Sequence, residues 1–269
     1  MTNEQDSGTD PTLTASGRKV CVVTGSSSGI GAATVRRYAR EGWDVVVNFA
    51  HQIEPAQAVA DECRALGATA LVVRADVSGD ADCRRLAAEV EAQFGRVDVL
   101  VNNAGSTKFV ALKDLDGLDA EDFHRIYAVN TIGAFLMTRA LLPLLQRHPV
   151  AAVVNISSIA GTMGTGSSIA YMASKGALNA LTVGLARALG PDVRVNAIAP
   201  GMVDSPWLKK GLGAERYAAT ATSYRARAAL DALILPEDVA DAAWWLGAGA
   251  AKTTGEVILL DAGLRLTRG

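Results

Sequence analysis

The sequence is poor in aromatic residues and in cysteine, and it has no excess of basic residues. Aromatic side chains make up 5% of its 269 residues, and its three cysteines (Cys21, Cys63 and Cys83) form no C-x-x-C pair. This usage argues against a zinc site and against a disulfide framework. The formal net charge of −2 provides no general attraction to nucleic acid or to an anionic membrane surface.

Long apolar segments are missing as well. The sequence shows no run of about 18 apolar residues, the length that a membrane span needs. Residues 1–17 are polar and lack the apolar stretch of a secretory signal. We therefore expect a flexible tail over residues 1–17 and a cytoplasmic protein with no membrane, nucleic-acid or metal partner.

Short apolar runs alternate with longer amphipathic segments along the rest of the chain. The runs are 20–23, 45–47, 71–73, 97–101, 151–156, 193–198 and 257–260. Continuous apolarity is typical of strands that are covered on both faces, and helices between the strands favour parallel pairing. The sequence predicts one doubly wound Rossmann-type α/β domain over residues 18–269, with a seven-stranded parallel sheet flanked by helices.

A glycine-rich segment follows the first apolar run. Gly25, Gly29 and Gly31 are spaced as G-x-x-x-G-x-G, with Ser27, Ser28 and Ile30 between them. Glycines at a strand-to-helix turn let the backbone approach a ligand closely, and the N-terminus of the next helix favours a pyrophosphate. The segment predicts a dinucleotide site, with a ligand-free tight turn as the alternative.

The end of the second run bears on which dinucleotide binds. Residues 47–51 contain no carboxylate that would bind a ribose 2′-hydroxyl and repel a 2′-phosphate. Ser27, Ser28, Asn48 and His51 carry groups that hydrogen-bond a phosphate, although no Arg or Lys is present and His51 is as well explained as an exposed loop residue. The segment favours NADP(H) and leaves NAD(H) open.

Acid/base chemistry is indicated by Tyr171 and Lys175, which lie one helical turn apart and share a helix face. An ammonium near a phenol favours the phenolate, so we expect the pKa of Tyr171 to be lowered toward working pH. The serines Ser157 and Ser158 end the fifth run. A Tyr-x-x-x-Lys pair alone is also typical of an ordinary amphipathic helix face.

Taken together, these motifs resemble the short-chain dehydrogenase/reductase family, including its 3-oxoacyl-(acyl-carrier-protein) reductase-like members. The resemblance covers about residues 18–263. It is carried by the motifs Thr24-Gly25-x-x-x-Gly29-x-Gly31, Asn102-Asn103-Ala104-Gly105, Asn130, Ser158, Tyr171-x-x-x-Lys175 and Pro200-Gly201, in that order.

The resemblance implies roles for individual residues. Tyr171 is the implied proton donor or acceptor, Ser158 rather than Ser157 binds the substrate oxygen, and Lys175 binds the nicotinamide ribose. Asn130 is expected to hold a water that relays protons to Lys175. Further implied cofactor contacts are Asp76, Val77, Asn103, Ala104, Gly105, Pro200, Gly201, Val203 and Ser205.

The resemblance also implies a homotetramer or dimer, with contacts through residues 80–94, 121–146 and 257–266. Residues 204–235 are expected to form a helical lid over a small carbonyl or alcohol substrate, and Thr107, Met163, Met202 and Trp207 are candidate substrate-wall residues. Substrate identity stays open among 3-oxoacyl thioesters, small ketones, sugars, steroids and polyketides.

Two other functions remain as alternatives. The first is a non-catalytic dinucleotide-binding regulatory protein, which would not need Asn130, Ser158, Tyr171 and Lys175 together. The second is a hydrolase with Ser157 or Ser158 as nucleophile, although neither serine lies in a G-x-S-x-G elbow.

Overall fold

Valine-rich runs form the strands of one parallel sheet at the centre of the chain. A computed structural model describes residues 17–266, so residues 1–16 of the predicted tail lie outside the described residues. Seven strands pair in the order β3-β2-β1-β4-β5-β6-β7, all of them parallel. Their bounds are β1 Val20–Val23, β2 Asp44–Phe49, β3 Ala70–Arg74, β4 Val99–Asn102, β5 Ala151–Ile156, β6 Val193–Pro200 and β7 Val257–Leu260.

Helices cover both faces of this sheet. They are α1 Gly29–Arg40, α2 Ile53–Ala65, α3 Asp80–Phe94, α4 Ala120–Tyr127, α5 Gly133–Leu145, α6 Ala160–Met163, α7 Ile169–Leu189, α8 Pro206–Leu212, α9 Ala214–Arg227 and α10 Pro236–Trp244. One apolar layer packs against α1, α2 and α10, and the other packs against α3 and α5. The prediction of a doubly wound α/β fold with a seven-stranded parallel sheet is confirmed.

Among the differences from the predicted elements, one changes the start of a strand and one lies inside a long helix. The fourth strand begins at Val99 rather than residue 97, and the predicted helix 121–146 contains a π-helical turn over Ala128–Ile132 between α4 and α5. This turn brings the buried residue Asn130 beneath the carboxyl ends of the strands. An apolar periodicity of about 3.6 residues cannot reveal such a turn, because the turn adds one residue without interrupting the helix.

The combined helix Ala120–Leu145 is long and apolar enough, by length and composition alone, to cross a membrane. It packs instead against α3 and α7, and Met137, Leu141 and Leu145 on it are fully buried in the sheet-facing layer. A buried helix in the core of a globular domain has the same length and composition. Its outward residues Ile132 and Phe135 remain exposed.

The strand order reverses between β1 and β4. Connections leave these two neighbouring strands toward opposite faces of the sheet, which opens a crevice at their carboxyl ends. The glycine-rich loop follows β1, and Asn103 to Gly105 follow β4. The fold therefore brings two of the motifs to one edge.

Candidate active site

A cavity of about 1090 Å³ lies along the carboxyl edge of the sheet. It extends from the glycine-rich loop to Tyr171 and on to helices α8 and α9. The predicted site residues that line it are Gly25, Ser28, Gly29, Ile30, Asn48, His51, Asp76, Val77, Asn103, Ala104, Gly105, Ser158, Tyr171, Lys175, Pro200, Gly201, Val203 and Ser205. Ser27, Gly31 and Asn130 are not part of its lining.

The glycine-rich loop is shaped by steric limits at its glycines. Gly25 and Gly29 have φ of +61° and +53°, a region that other residues rarely adopt. A Cβ on Gly31 would lie 2.5 Å from the Asn103 Nδ2 atom and 2.6 Å from the Gly25 carbonyl oxygen. Gly31 therefore serves loop–helix packing, whereas Gly29, where a Cβ would meet nothing, leaves space on the cavity side.

The side chains of Asn103 and Thr24 hold this loop in position. Asn103 donates from Nδ2 to the carbonyl oxygens of Thr24 at 2.8 Å and Gly25 at 2.9 Å. The Thr24 hydroxyl accepts from the backbone N–H groups of Asn103 and Ala104, both at 3.0 Å. The backbone of the loop is thus fixed before any ligand arrives, and α1 begins at its end with an N-cap, Ser28, whose side chain makes no capping bond.

Asn48 has a different environment from the one predicted. Its side chain is buried, accepts from the Gly25 N–H at 3.0 Å, and donates to the Val73 and Ala75 carbonyl oxygens at 3.3 and 3.0 Å. Because its amide is already hydrogen-bonded on both sides, it braces the glycine loop in this arrangement and does not offer a free donor to a phosphate. The position of Asn48 at a strand end does not show, from sequence alone, that its amide is buried and already hydrogen-bonded.

The end of β2 carries a basic neighbour that the local sequence does not show. Phe49 pairs with Arg74 in the register of β2 and β3, and the Arg74 Nε donates to the Ala50 carbonyl oxygen at 3.2 Å. Ala50 and the exposed His51 line the cavity. The positive charge near residue 50 belongs to Arg74 on the adjacent strand β3, not to residues 47–51. It could be found only from the pairing of β2 with β3.

Asp76 and Val77 lie at the end of β3, as predicted. The Asp76 carboxylate accepts from the Ser78 N–H at 2.9 Å and from the Ser78 hydroxyl at 2.7 Å. Val77 is buried, and both residues line the cavity.

The Tyr171 side chain is positioned by the first turn of α7. Ser168 is the N-cap of this helix and accepts from the Tyr171 N–H at 3.3 Å. The phenol is hydrogen-bonded to the Ser158 hydroxyl, and burial raises the pKa of Tyr171 to about 12 while the Ser158 bond opposes that rise. The expected lowering of the Tyr171 pKa by Lys175 is therefore wrong for this structure, because desolvation of the phenolate is the larger effect.

Lys175 lies behind the phenol. Its ammonium donates to the Ile156 carbonyl oxygen at 2.8 Å and lies 5.7 Å from the centroid of the Tyr171 ring. Burial lowers the pKa of Lys175 to about 8. Tyr171 and Lys175 thus lie together as their spacing predicts, and Ser158, which the resemblance assigned to them, lines the same cavity.

Asn130 hydrogen-bonds to α7 and to the loop after β4. Its Oδ1 accepts from the Ser106 N–H at 2.7 Å, and its Nδ2 donates to the Ser106 carbonyl oxygen and the Ser174 hydroxyl, each at 2.9 Å. Ser174 in turn donates to the Tyr171 carbonyl oxygen at 2.7 Å. The Asn130 side chain therefore supports the helical turn that carries Tyr171 and Lys175. Ser174 and Ser106 take part in this network, although no sequence motif pointed to them.

The carboxyl end of β6 closes the floor of the site. A Cβ on Gly201 would overlap the Tyr224 hydroxyl, which donates to the Asp261 carbonyl oxygen at 2.7 Å. Val203 forms a parallel bridge with Ile234, and Ser205 caps α8 by accepting from the Leu208 N–H at 3.4 Å. Ser205 lines the cavity, with its hydroxyl engaged in this cap.

Helices α8 and α9, which we call the cover, lie within residues 204–235, where a lid is predicted, and contribute residues to the cavity lining. Met202 and Trp207 line the cavity as predicted, while Thr107 and Met163 are not part of its lining. Phe109 lines it beside Trp207, with ring centroids 5.7 Å apart. Phe109 was missed because an isolated aromatic residue in a loop gives no periodic signal.

Neither serine has the partners of a hydrolytic nucleophile. Ser157 donates to the Asn179 Oδ1 atom at 2.6 Å, and Ser158 accepts from the Ala160 N–H at 3.1 Å and bonds to Tyr171. The serines therefore belong to a serine–tyrosine–lysine set, rather than a serine–histidine pair. This set lines the same cavity as the glycine-rich loop of residues 25–31, which we call the cradle.

Comparisons with known proteins agree with this geometry. The short chain dehydrogenase family model matches residues 19–216. A protein of Streptomyces violaceoruber named for a ketoacyl reductase of the granaticin polyketide synthase is 44% identical over 247 residues, covering 92% of this chain and 96% of that protein. A 3-oxoacyl-(acyl-carrier-protein) reductase of Staphylococcus epidermidis is 36% identical over 188 residues, covering 70% of this chain and 76% of the relative.

A solved structure gives the same result. A Burkholderia xenovorans protein described as a short-chain dehydrogenase/reductase superposes with a TM-score of 0.87 and 44% identity, over 93% of this chain and 99% of that one. Fold, motif order and sequence identity agree over nearly the whole chain. The chain is an oxidoreductase and belongs to the short-chain dehydrogenase/reductase family.

Proposed function

We propose that this enzyme is an NADP(H)-preferring ketoreductase that converts a carbonyl to a secondary alcohol, or the reverse, with Tyr171 as its general acid/base. The observation that carries the proposal is the phenol of Tyr171, which is hydrogen-bonded to Ser158 and backed by Lys175 in the same cavity as the glycine cradle.

The cradle fits a dinucleotide. Left-handed glycines, a helix that begins at Gly29 and a loop braced by Asn103 suit the close approach of a pyrophosphate to backbone N–H groups. A bound nicotinamide dinucleotide supplies the hydride. Gly201, Val203 and Lys175 line the section of the cavity next to Tyr171, where its nicotinamide end would be held.

The chain's own residues supply the proton and stabilise charge. Tyr171 donates its phenolic proton to the carbonyl oxygen, and Ser158 donates a hydrogen bond to the same oxygen as negative charge develops. Lys175 stabilises the resulting phenolate through its positive charge. With a pKa of about 12, Tyr171 carries its proton at neutral pH, which favours reduction.

Tyr171→Phe tests this function. Because general acid catalysis contributes about 10²- to 10⁴-fold, we expect the rate of ketone reduction to fall by at least 100-fold while NADPH binding, measured by calorimetry, stays unchanged. Tyr127→Phe serves as the control, since Tyr127 does not line the cavity. Full turnover in Tyr171→Phe would contradict the assignment, and wild-type protein that binds NADPH but reduces no ketone would favour the regulatory alternative.

Arg74 supports the NADP(H) preference. Its guanidinium lies at the Ala50 carbonyl, next to the stretch where no carboxylate is present to repel a 2′-phosphate. Arg74→Glu is expected to reduce the ratio of kcat/KM for NADPH over NADH by about tenfold or more, since one charge pair is replaced by a repulsion. Arg84→Ala, which removes an exposed charge paired with Asp80, should leave the ratio unchanged. A wild-type preference for NADH would contradict the NADP(H) proposal.

The substrate belongs to the small-molecule carbonyls or alcohols. The ketoacyl reductases among the relatives make a 3-oxoacyl thioester one candidate.

We also propose a homotetramer or dimer, because Ile132 and Phe135 leave apolar surface on the α4–α5 helix and β7 is an edge strand of the sheet. Sedimentation that shows only monomer would contradict this. A cytoplasmic location agrees with three buried free thiols and is testable by cell fractionation.

A further inference from the structure

Three aromatic rings line the cavity, and one of them is the phenol of Tyr171, the proposed proton donor. Trp207 lies between the other two, with its ring centroid 5.7 Å from Phe109 and 6.4 Å from Tyr171. Both separations are within the range of ordinary aromatic contacts. We call Phe109 and Trp207 the aromatic wall.

The aromatic wall is not a closed core. Trp207 is 47% exposed although it contacts two rings and lines the cavity. A half-covered indole next to a reacting centre leaves apolar ring surface facing the space where a substrate must lie. Leu208, Leu212 and Met202 add further apolar side chains to the lining of the same cavity.

The position of the aromatic wall is fixed by local contacts. Ser205 caps α8 two residues before Trp207, and Gly211 on the same helix packs so closely on Phe109 that a Cβ would overlap its ring. On the other side, the Val110 N–H donates to the Ser167 carbonyl oxygen at 2.8 Å. The two rings are therefore held from separate parts of the chain, α8 and the loop after β4.

We propose that the aromatic wall selects ring-bearing ketones, with Trp207 as the residue that determines this preference. The inference rests on the proposed function and narrows its substrate class. A flat bicyclic ketone with its oxygen at Tyr171 lays a rigid apolar face against the indole. A linear ketone with the same number of carbons must give up rotational freedom to make the same contact.

The test uses two ten-carbon ketones with the carbonyl at position 2, namely 2-tetralone and 2-decanone, with NADPH. We expect wild-type kcat/KM to be higher for 2-tetralone. Trp207→Leu should lower kcat/KM for 2-tetralone by about tenfold and change that for 2-decanone less than threefold, while Trp207→Phe retains most of the preference.

Two further variants complete the design. Gly211→Ala pushes the Phe109 ring aside and should reduce the preference in the same direction. Trp245→Phe is the matched control, because Trp245 is 49% exposed like Trp207 but does not line the cavity. Thermal unfolding curves of all variants check that the fold is retained.

A binding measurement keeps this inference separate from the catalytic one. Saturating 2-tetralone should quench tryptophan fluorescence in wild-type protein and not in Trp207→Phe. If no ketone is reduced but this quenching is found, the proposed reaction fails and the aromatic wall stands. Equal losses for both ketones in Trp207→Leu, a wild-type preference for 2-decanone, or quenching that persists in Trp207→Phe would overturn the proposal for the aromatic wall.

Discussion

The two ends of the cavity differ in what holds them in place. At the glycine-rich loop, buried Thr24 and Asn48 and half-buried Asn103 hydrogen-bond to backbone groups, and Gly25 and Gly31 have no room for a Cβ. At the cover, α8 has no buried residue and α9 buries only Ala221 and Tyr224. The loop is thus specified by backbone packing, whereas the cover depends on a few side-chain contacts. Substrate preference can change at the cover without altering the dinucleotide cradle.

The largest expected effect is at the glycine-rich loop. In Gly31→Ala the new methyl group would lie 2.5 Å from the Asn103 amide nitrogen and 2.7 Å from the Ser26 Cα, so the loop and α1 must separate. We expect a loss of about 2–3 kcal/mol in the free energy of unfolding, from overpacking and disturbed hydrogen bonds. NADPH affinity should fall by at least tenfold, measured by calorimetry.

Gly184→Ala is the matched control for this substitution. Gly184 lies within α7, and a Cβ there would meet nothing within 4 Å. Alanine in place of an exposed helical glycine should stabilise the protein by up to about 1 kcal/mol. Equal effects of the two substitutions on NADPH affinity would show that the packing of Gly31 does not shape the cradle.

The next largest effect is expected at Tyr171 and Lys175, which line the cavity together with the glycine-rich loop and the cover. Burial lowers the pKa of Lys175 to about 8 and raises that of Tyr171 to about 12. Lys175 is charged below its pKa and neutral above it, and Tyr171 keeps its proton throughout this range. We expect kcat/KM for reduction to be level below pH 8 and to fall about tenfold per pH unit above it. A reduction rate that rises between pH 8 and 10 would contradict this assignment.

The same shift predicts a change in stability that needs no substrate. Because the folded pKa of Lys175 lies below its unfolded value of about 10.5, the unfolded chain binds more protons between these values, and stability rises with pH in that window. Between pH 8 and pH 10 the gain relative to Lys175→Met should be about 2 kcal/mol, which is the part of the roughly 3 kcal/mol for the whole pKa shift that falls in this window. Denaturant unfolding of both proteins at pH 8 and pH 10 measures it.

Sequence information predicted the cradle better than the cover. Continuous apolar runs specify a parallel sheet, and the glycine spacing after β1 specifies a tight turn, because both follow from backbone geometry. The spacing of Tyr171 and Lys175 likewise places them on one face of α7. What the sequence could not supply are contacts between distant segments, such as Arg74 beside Ala50 and Phe109 against Gly211. The direction of the Tyr171 pKa shift also required the structure, since burial outweighs the hydrogen bond with Ser158.

The smallest expected effect is at the cover. Tyr217 donates to the Asp204 carboxylate at 2.8 Å, and Lys209 pairs with the same carboxylate at 2.6 Å. These groups are partly exposed to solvent, so Tyr217→Phe should cost less than about 1 kcal/mol in the free energy of unfolding. Because the bond joins α9 to the start of α8, we expect the KM for ketone to rise two- to threefold with kcat unchanged.

Tyr224→Phe gives the contrast within the same helix. Its hydroxyl is buried and donates to the Asp261 carbonyl oxygen at the floor of the site, so its removal leaves a buried acceptor without its partner. That loss should cost about 1–3 kcal/mol in unfolding free energy, more than the loss at Tyr217. If Tyr217→Phe proved the more destabilising of the two in denaturant titrations, the partly exposed bond of α9 to Asp204 would hold the cover more firmly than the buried bond of Tyr224 to the floor of the site. Substitutions in the cover that change substrate specificity would then also change the stability of the protein.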